Sequence, residues 1–224
     1  MYQPAHFNEA DPATLLALMR EFPLATLMRG GNELAADILP LEVERVGEGW
    51  RVTGHVARAN PLWREADGQP VLLMFQGPQA YVSPNWYPSK SQHGKAVPTW
   101  NYAMVQVHGT LRATQDPEWL RAFVTRLTER HEAGRPVPWH VADAPADYLD
   151  AMLKAIVGIE VEVARVDGKF KLSQNRDAAD RTGVVLGLEA DASLNRQPEA
   201  DALAQAMQAV EERKRNAASG GVRS

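Results

Sequence analysis

Five of the 16 aromatic residues in this 224-residue chain fall within the 22 positions from Tyr81 to Tyr102, YVSPNWYPSKSQHGKAVPTWNY. They alternate with prolines, serines and lysines. Aromatic faces held beside fixed-φ prolines offer stacking area, and lysine or serine supplies donors to an anionic group, so the segment suits a flat, negatively charged ligand. Strand-like runs frame it, VLLMFQ (Val71 to Gln76) before and TWNYAMVQVHGTL (Thr99 to Leu111) after, so a sheet would hold the loop at both ends.

Two other motifs carry compatible chemistry. In GHVARANPLW, Gly54 to Trp63, a strand with a polar face ends in Arg58, followed by Asn60-Pro61, an N-cap and a proline opening a short helix. A guanidinium beside free backbone N–H groups can grip an oxyanion together with them. His55, three residues earlier, is expected on the outward face of that strand. In GKFKLSQNR, Gly168 to Arg176, Lys169 and Lys171 share one strand face, with Ser173, Gln174 and Asn175 just beyond; this reads as a cationic, amide-rich wall.

Other chemistries find no support. The chain contains no GxGxxG, GxxxxGK[ST] or GxSxG sequence. Its six histidines, at 6, 55, 93, 108, 131 and 140, show no ligand-like pairing, so no metal site is expected. The absence of cysteine removes disulfides, thiolate nucleophiles and cysteine-ligated metal centres. A formal charge of −4 gives no overall pull toward DNA phosphates, and the single basic run, Arg213 to Arg215, is short. Apolar runs such as Val71 to Phe75 are far shorter than the ~20 residues a membrane span needs. The N-terminus lacks the basic and apolar blocks of a signal peptide, which leads us to expect a cytoplasmic protein.

The elements that position these motifs are mainly strands. Leu24 to Arg29 and Leu34 to Leu39, joined through Gly30-Gly31-Asn32, read as a β-hairpin. Arg51 to Val56, Val105 to Leu111 and Ile159 to Val163 alternate apolar and polar residues with period two. Six or seven such strands without βαβ alternation predict a closed antiparallel barrel with added helices. Asp11-Pro12 and Asp116-Pro117 pair an N-cap carboxylate with a proline at the first helical position and precede amphipathic helices. Further helices are expected over about 146–155 and 199–215, with a disordered tail from Ser219 to Ser224.

MYQPAHF, GHVARANPLW, GPQAYVSPNWY, VPTWNY, VHGTL, AIVGIEVEV and GKFKLSQNR, in this order, resemble the PaiB-type family of FMN-binding negative transcriptional regulators. The resemblance covers about 1–188 and leaves 189–224 as a C-terminal extension. It implies an α+β, mainly β fold: an antiparallel, Greek-key-like split β-barrel related to the pyridoxamine phosphate oxidase flavoproteins. It further implies a homodimer that holds FMN near the subunit interface and, by the family's name alone, a link to DNA. By that analogy Arg58, beside Ala57, would hold the FMN phosphate, with Ser83, Lys90 and Asn101 as further candidates. His55, Trp86, Trp100 and Gln174 would approach the flavin, and Lys171 would belong to the same pocket. Three functions stay open at this point: a flavin-sensing regulator, an FMN-dependent oxidoreductase and a haem-binding protein on the same scaffold.

Overall fold

The computed structural model describes residues 1–31, 33–194, 197 and 199–220. Its strands are β1 (Asn8–Glu9), β2 (Leu24–Arg29), β3 (Ala35–Pro40), β4 (Glu42–Val46), β5 (Gly49–Ala57), β6 (Pro70–Val82), β7 (Thr99–Thr114) and β8 (Ile156–Lys171). Its helices are α1 (Pro12–Glu21), α2 (Leu62–Glu65), α3 (Lys90–His93), α4 (Pro117–Glu132), α5 (Ala146–Lys154), α6 (Ala178–Ser193) and α7 (Ala200–Gly220). The chain forms two compact units. Pro12–Phe75 and Val105–Val166 make a barrel unit; Met1–Asp11, Gln76–Met104 and the residues from Asp167 onward make a loop unit. The long strands β6, β7 and β8 each pass from one unit into the other along their own length.

In the barrel unit the period-two residues do what their pattern predicts. Val52 and Val56 of β5, Val105 and Val107 of β7 and Val157, Ile159 and Val161 of β8 are buried with Leu27, Leu73 and Phe75. Each such side chain contributes roughly 1.5–3 kcal/mol by leaving water. The strand order is β3-β2-β6-β7-β8-β5-β4, with β2 antiparallel to β3 (Arg29↔Ala35) and β5 antiparallel to β8 (His55↔Gly158). The ladder does not close, contrary to the closed barrel expected from strand number. Its two ends, β3 and β4, are separated in sequence only by Leu41, so the chain rather than a row of hydrogen bonds spans the seam. This is a split barrel.

Helices cover part of that sheet. The Asp116-Pro117 signal holds: Asp116 accepts a hydrogen bond from the Glu118 N–H at 2.9 Å and α4 begins at Pro117. Helix α4 lies on the outer face of β4 and β5, where Phe123 meets the His55 ring edge-on at 5.7 Å and Trp119 stacks on Phe123. Buried Glu42 of β4 pairs there with Arg130 of α4 at 3.1 Å. Helix α1 buries Leu15, Leu18 and Met19 and donates from Arg20 Nε to the Val43 carbonyl at 3.3 Å. Among the described residues the outer face of β2, β3 and β6 has no such cover.

The loop unit holds the aromatic segment and two helices at the C-terminal end. Thr182, Gly183, Val184, Val185 and Gly187 are weak helix formers, so propensity alone argues against a helix over residues 178–193. Asp177 nonetheless caps α6 by accepting from the Asp180 N–H at 2.8 Å, and Asp180, Val184 and Leu188 form its buried face. Burial of that face overrides propensity. Helix α7 runs to Gly220, five residues past the expected end; the remainder of the expected disordered tail, from Gly221, lies outside the described residues.

Candidate functional site

Of the ten expected site residues, His55, Ala57 and Arg58 lie in the barrel unit and the other seven in the loop unit. Within the loop unit, β7 and β8 bring cations and rings together. Lys171 Nζ donates to Thr99 Oγ1 at 2.6 Å and to the Trp100 carbonyl. Lys169, two residues back on the same strand, lies over the rings of Tyr2 at 5.6 Å and Tyr102 at 5.4 Å. The Arg176 guanidinium stands 4.6 Å from the Tyr87 ring centre. Burial, then repulsion from Lys169 and Arg176, pushes the Lys171 ammonium below its ordinary value. Among the described residues none of these three cations forms an ion pair with a carboxylate.

Polar groups beside the cluster are held in unusual states. Asn101, only 1% exposed, donates from Nδ2 to Ser173 Oγ at 2.9 Å. Its Oδ1 is buried without a partner among the described residues, as is the hydroxyl of Tyr87, which is 3% exposed. Each such orphan costs about 1–3 kcal/mol unless something else satisfies it. Ser173 has φ 62°, left-handed backbone that a non-glycine residue adopts at a cost. Gln174 folds back on its own strand, accepting from the Leu172 N–H at 2.7 Å and donating to the Phe170 carbonyl at 2.5 Å, and so stabilises that turn.

The remaining loop candidates have local partners. Ser83 Oγ accepts from the Asn85 N–H at 3.2 Å, and Lys90 Nζ donates to Asn85 Oδ1 at 2.5 Å. Trp100 donates from Nε1 to Gln79 Oε1 at 3.2 Å and meets Tyr81 edge-on at 6.3 Å, and the residue is 48% exposed. Trp86 lies against α6 at Gly183 and Gly187.

In the barrel unit, Arg58 ties the end of β5 to the carbonyls that close α5. Its Nε donates to the Lys154 carbonyl at 2.6 Å, Nη1 to Gln115 Oε1 at 2.5 Å and Nη2 to the Ile156 carbonyl at 3.0 Å. A basic side chain here also complements the negative end of the helix. Two of its five N–H groups stay available, and the residue lines a cavity of about 560 Å³ with Gln115, Leu120, Arg121, Leu153 and Lys154. Ala57 is exposed at the strand end, paired with Ile156. His55 is half-buried against α4 rather than free on an outward face, its Nδ1 has no partner among the described residues, and burial lowers its pKa.

The loop-unit residues fit FMN. A flavin mononucleotide carries a phosphate dianion, a planar ring for stacking, and a ring edge with both donors and acceptors. Three carboxylate-free cations, the exposed Trp100 ring, and two buried orphans, one acceptor and one hydroxyl, answer each requirement. Tyr2, Tyr87 and Arg176 complete this set without being individual candidates; Tyr87 lies in the aromatic segment 81–102 and Arg176 ends the Gly168 to Arg176 motif, so their surroundings were legible and their pairings were not. Among the described residues no group of three or more acidic or histidine side chains could hold a metal, and no helix is long and apolar enough to cross a membrane.

Comparison with known proteins points to the same cofactor. The family described as "Putative FMN-binding domain" matches residues 1–165. The chain is 32% identical over 200 residues to "Protease synthase and sporulation protein PAI 2" of Bacillus subtilis, covering 87% of this chain and 92% of that one. It is 39% identical over 227 residues to the uncharacterized protein AN0679 of Emericella nidulans, covering 84% and 90%. Among solved structures, the FAD and heme binding protein from Mycobacterium smegmatis is similar, with a TM-score of 0.57 at 17% identity, covering 79% of this chain and 78% of that one. The conserved hypothetical protein Rv2991 from Mycobacterium tuberculosis gives a TM-score of 0.54 at 13% identity, covering 79% and 94%. These two likenesses speak for the fold alone. The chain belongs to the PaiB-type family of FMN-binding split-barrel proteins.

Proposed function

We propose that FMN is bound by the loop unit, with its phosphate held by Lys169, Lys171 and Arg176 and its ring edge answered by Asn101 and Tyr87. The observation that carries this is the cluster of three cations, without carboxylate partners among the described residues, in which burial first and then Lys169 and Arg176 push the Lys171 ammonium below its ordinary value. Like charges gathered in a partly buried place repel until an anion arrives. FMN supplies redox chemistry when bound; the protein's part is to hold the phosphate, stack the ring and satisfy its edge. Titration of the purified protein with FMN and with riboflavin, followed by flavin fluorescence, tests the assignment. Equal affinity for the two ligands would overturn it.

A second reading places the phosphate at Arg58. In its favour, the residue lines the cavity between α4 and α5, where Arg121 and Lys154 add positive charge. Against it, all three guanidinium nitrogens already donate to protein oxygens.

We further propose that the protein is a homodimer formed through the uncovered outer face of β2, β3 and β6. Ile38, 67% exposed, pairs across strands with Thr26, which in turn pairs with Met74. Met28 stands between Ala36 and Leu72 in the same way. An apolar sheet face of this kind is what a two-fold partner covers.

The role we carry over from the family is transcriptional regulation, exercised through the flavin rather than by strong direct contact with DNA. An acidic formal charge of −4 makes sequence-independent attraction to DNA weak. Promoter-fragment binding that survives excess competitor DNA at physiological salt would reverse that judgement.

A further inference from the structure

The helical hairpin α6–α7 lies beyond residues 1–165, the segment matched by the FMN-binding family, yet it is fastened to the aromatic loop at several points. Trp86 rests on a face of α6 that only glycine can provide: a Cβ at Gly183 would overlap the Trp86 carbonyl, and one at Gly187 would overlap the indole ring. One turn earlier, Asp180, 2% exposed, accepts from the Ser89 N–H at 3.0 Å and from Ser89 Oγ at 2.7 Å. These two contacts bracket Tyr87, the residue whose ring meets Arg176.

The hairpin also reaches the strands on either side of the loop. Gln197 exchanges hydrogen bonds with the Tyr81 backbone, accepting from its N–H at 2.8 Å and donating to its carbonyl at 3.2 Å. Met207 of α7 lies 3.8 Å from the amide nitrogen of Asn101. Arg181 forms an ion pair with Glu211 that joins α6 to α7, donating from Nη2 to Oε2 at 2.8 Å with Nε 2.8 Å from Oε1, so the hairpin acts on the loop as one piece.

We propose that the α6–α7 hairpin is a clamp that sets flavin affinity: Gly183, Gly187 and Asp180 are positioning residues that fix the aromatic loop in the conformation that presents Tyr87 and the cation cluster to the ligand. The long connection between β6 and β7, Ser83 to Pro98, has many alternative conformations. Ordering it before the ligand arrives removes that cost from binding. The proposal rests on the assignment of the flavin to this loop.

A double-mutant cycle in the full chain tests it, with FMN dissociation constants from fluorescence and folding checked by circular dichroism. Gly187→Ala should weaken FMN about tenfold, the loss expected when a prearranged loop must order on binding. Trp86→Ala vacates the space that the new methyl group needs. Adding Gly187→Ala to Trp86→Ala should therefore change affinity less than about twofold, an interaction that a general loss of stability would not produce. A folded Gly187→Ala protein with wild-type affinity would overturn the clamp, as would the same further tenfold loss in the Trp86→Ala background. Should Gly187→Ala fail to fold, Asp180→Asn keeps the side-chain shape, weakens both bonds to Ser89 and is expected to lower FMN affinity in the same direction; unchanged affinity there overturns the clamp too. A wild-type protein that does not bind FMN would instead remove the flavin assignment itself.

Discussion

Lys171→Met is the most discriminating single change, because it removes a charge while keeping most of the aliphatic stem. In the ligand-free protein the ammonium is disfavoured by burial and by Lys169 and Arg176, and a phosphate dianion converts that repulsion into attraction. A charge-assisted hydrogen bond to the phosphate is worth roughly 1.5–3 kcal/mol, or about 10- to 150-fold in dissociation constant. Lys171 is only half-buried, so solvent screening places the expected loss near the lower end, about tenfold. Stability should barely change. The substitution leaves Thr99 Oγ1 and the Trp100 carbonyl without their donor, worth about 1 kcal/mol, but relieves repulsion that acts in the opposite direction. The melting temperature should therefore move by less than about 4 °C. Riboflavin, lacking phosphate, should bind wild type and variant alike. Fluorescence titration of both ligands reads the ratio directly; undiminished FMN affinity, or an equal loss for FMN and riboflavin, refutes the reasoning. Arg58→Ala in the same assay separates the two phosphate readings. If its role is to tie β5 to α5, the variant loses about 1–3 kcal/mol of stability and keeps the wild-type FMN-to-riboflavin ratio.

Two further outcomes follow from the barrel unit. Burial disfavours the charged form of His55, so its folded pKa lies below the ordinary 6.5 and the unfolded chain binds the proton more readily. Its contribution to stability is complete above about pH 6.5 and is lost as pH falls from there toward the folded value; thermal melts at pH 8 and pH 5.5 should show a smaller acid shift for His55→Phe than for wild type. Met28→Glu with Leu72→Lys would place charges on the uncovered sheet face, and light scattering should then report a monomer; a wild-type oligomer that persists would move the interface elsewhere.

The legible parts of the fold were those governed by local patterns. Period-two alternation located β5, β7 and β8, and Asp-Pro caps located α1 and α4, since these depend on neighbouring residues only. Helix α6 escaped because its glycines and β-branched residues argue against a helix, and the reason for two of those glycines lies about 100 residues away at Trp86. The open ladder escaped for a similar reason, because strand counting does not reveal which strands lie at the ends. At the candidate site, residue types were informative and pairings were not. Lys171 was singled out from motif chemistry and Asn101 from the family resemblance, but the repulsion among Lys169, Lys171 and Arg176, and the orphaned oxygen of Asn101, exist only once β7 and β8 lie side by side. Arg58 was legible as a cation at a strand end, while the carbonyls it grips belong to residues 96 and 98 positions later.

The seam at Leu41 also fixes how much chain the barrel can tolerate there. Leu39, Leu41 and Val43 are all buried, so the alternation that begins in β3 carries straight through into β4. Adding or removing one residue at 41 would turn every β4 side chain to the opposite face, bringing Glu42 inward and taking Val43 out to meet Arg130. The turn between β4 and β5, at Gly47 and Glu48, has no such parity to keep. Length there can vary while the ladder stays intact, whereas the single residue between β3 and β4 decides which face of β4 is buried.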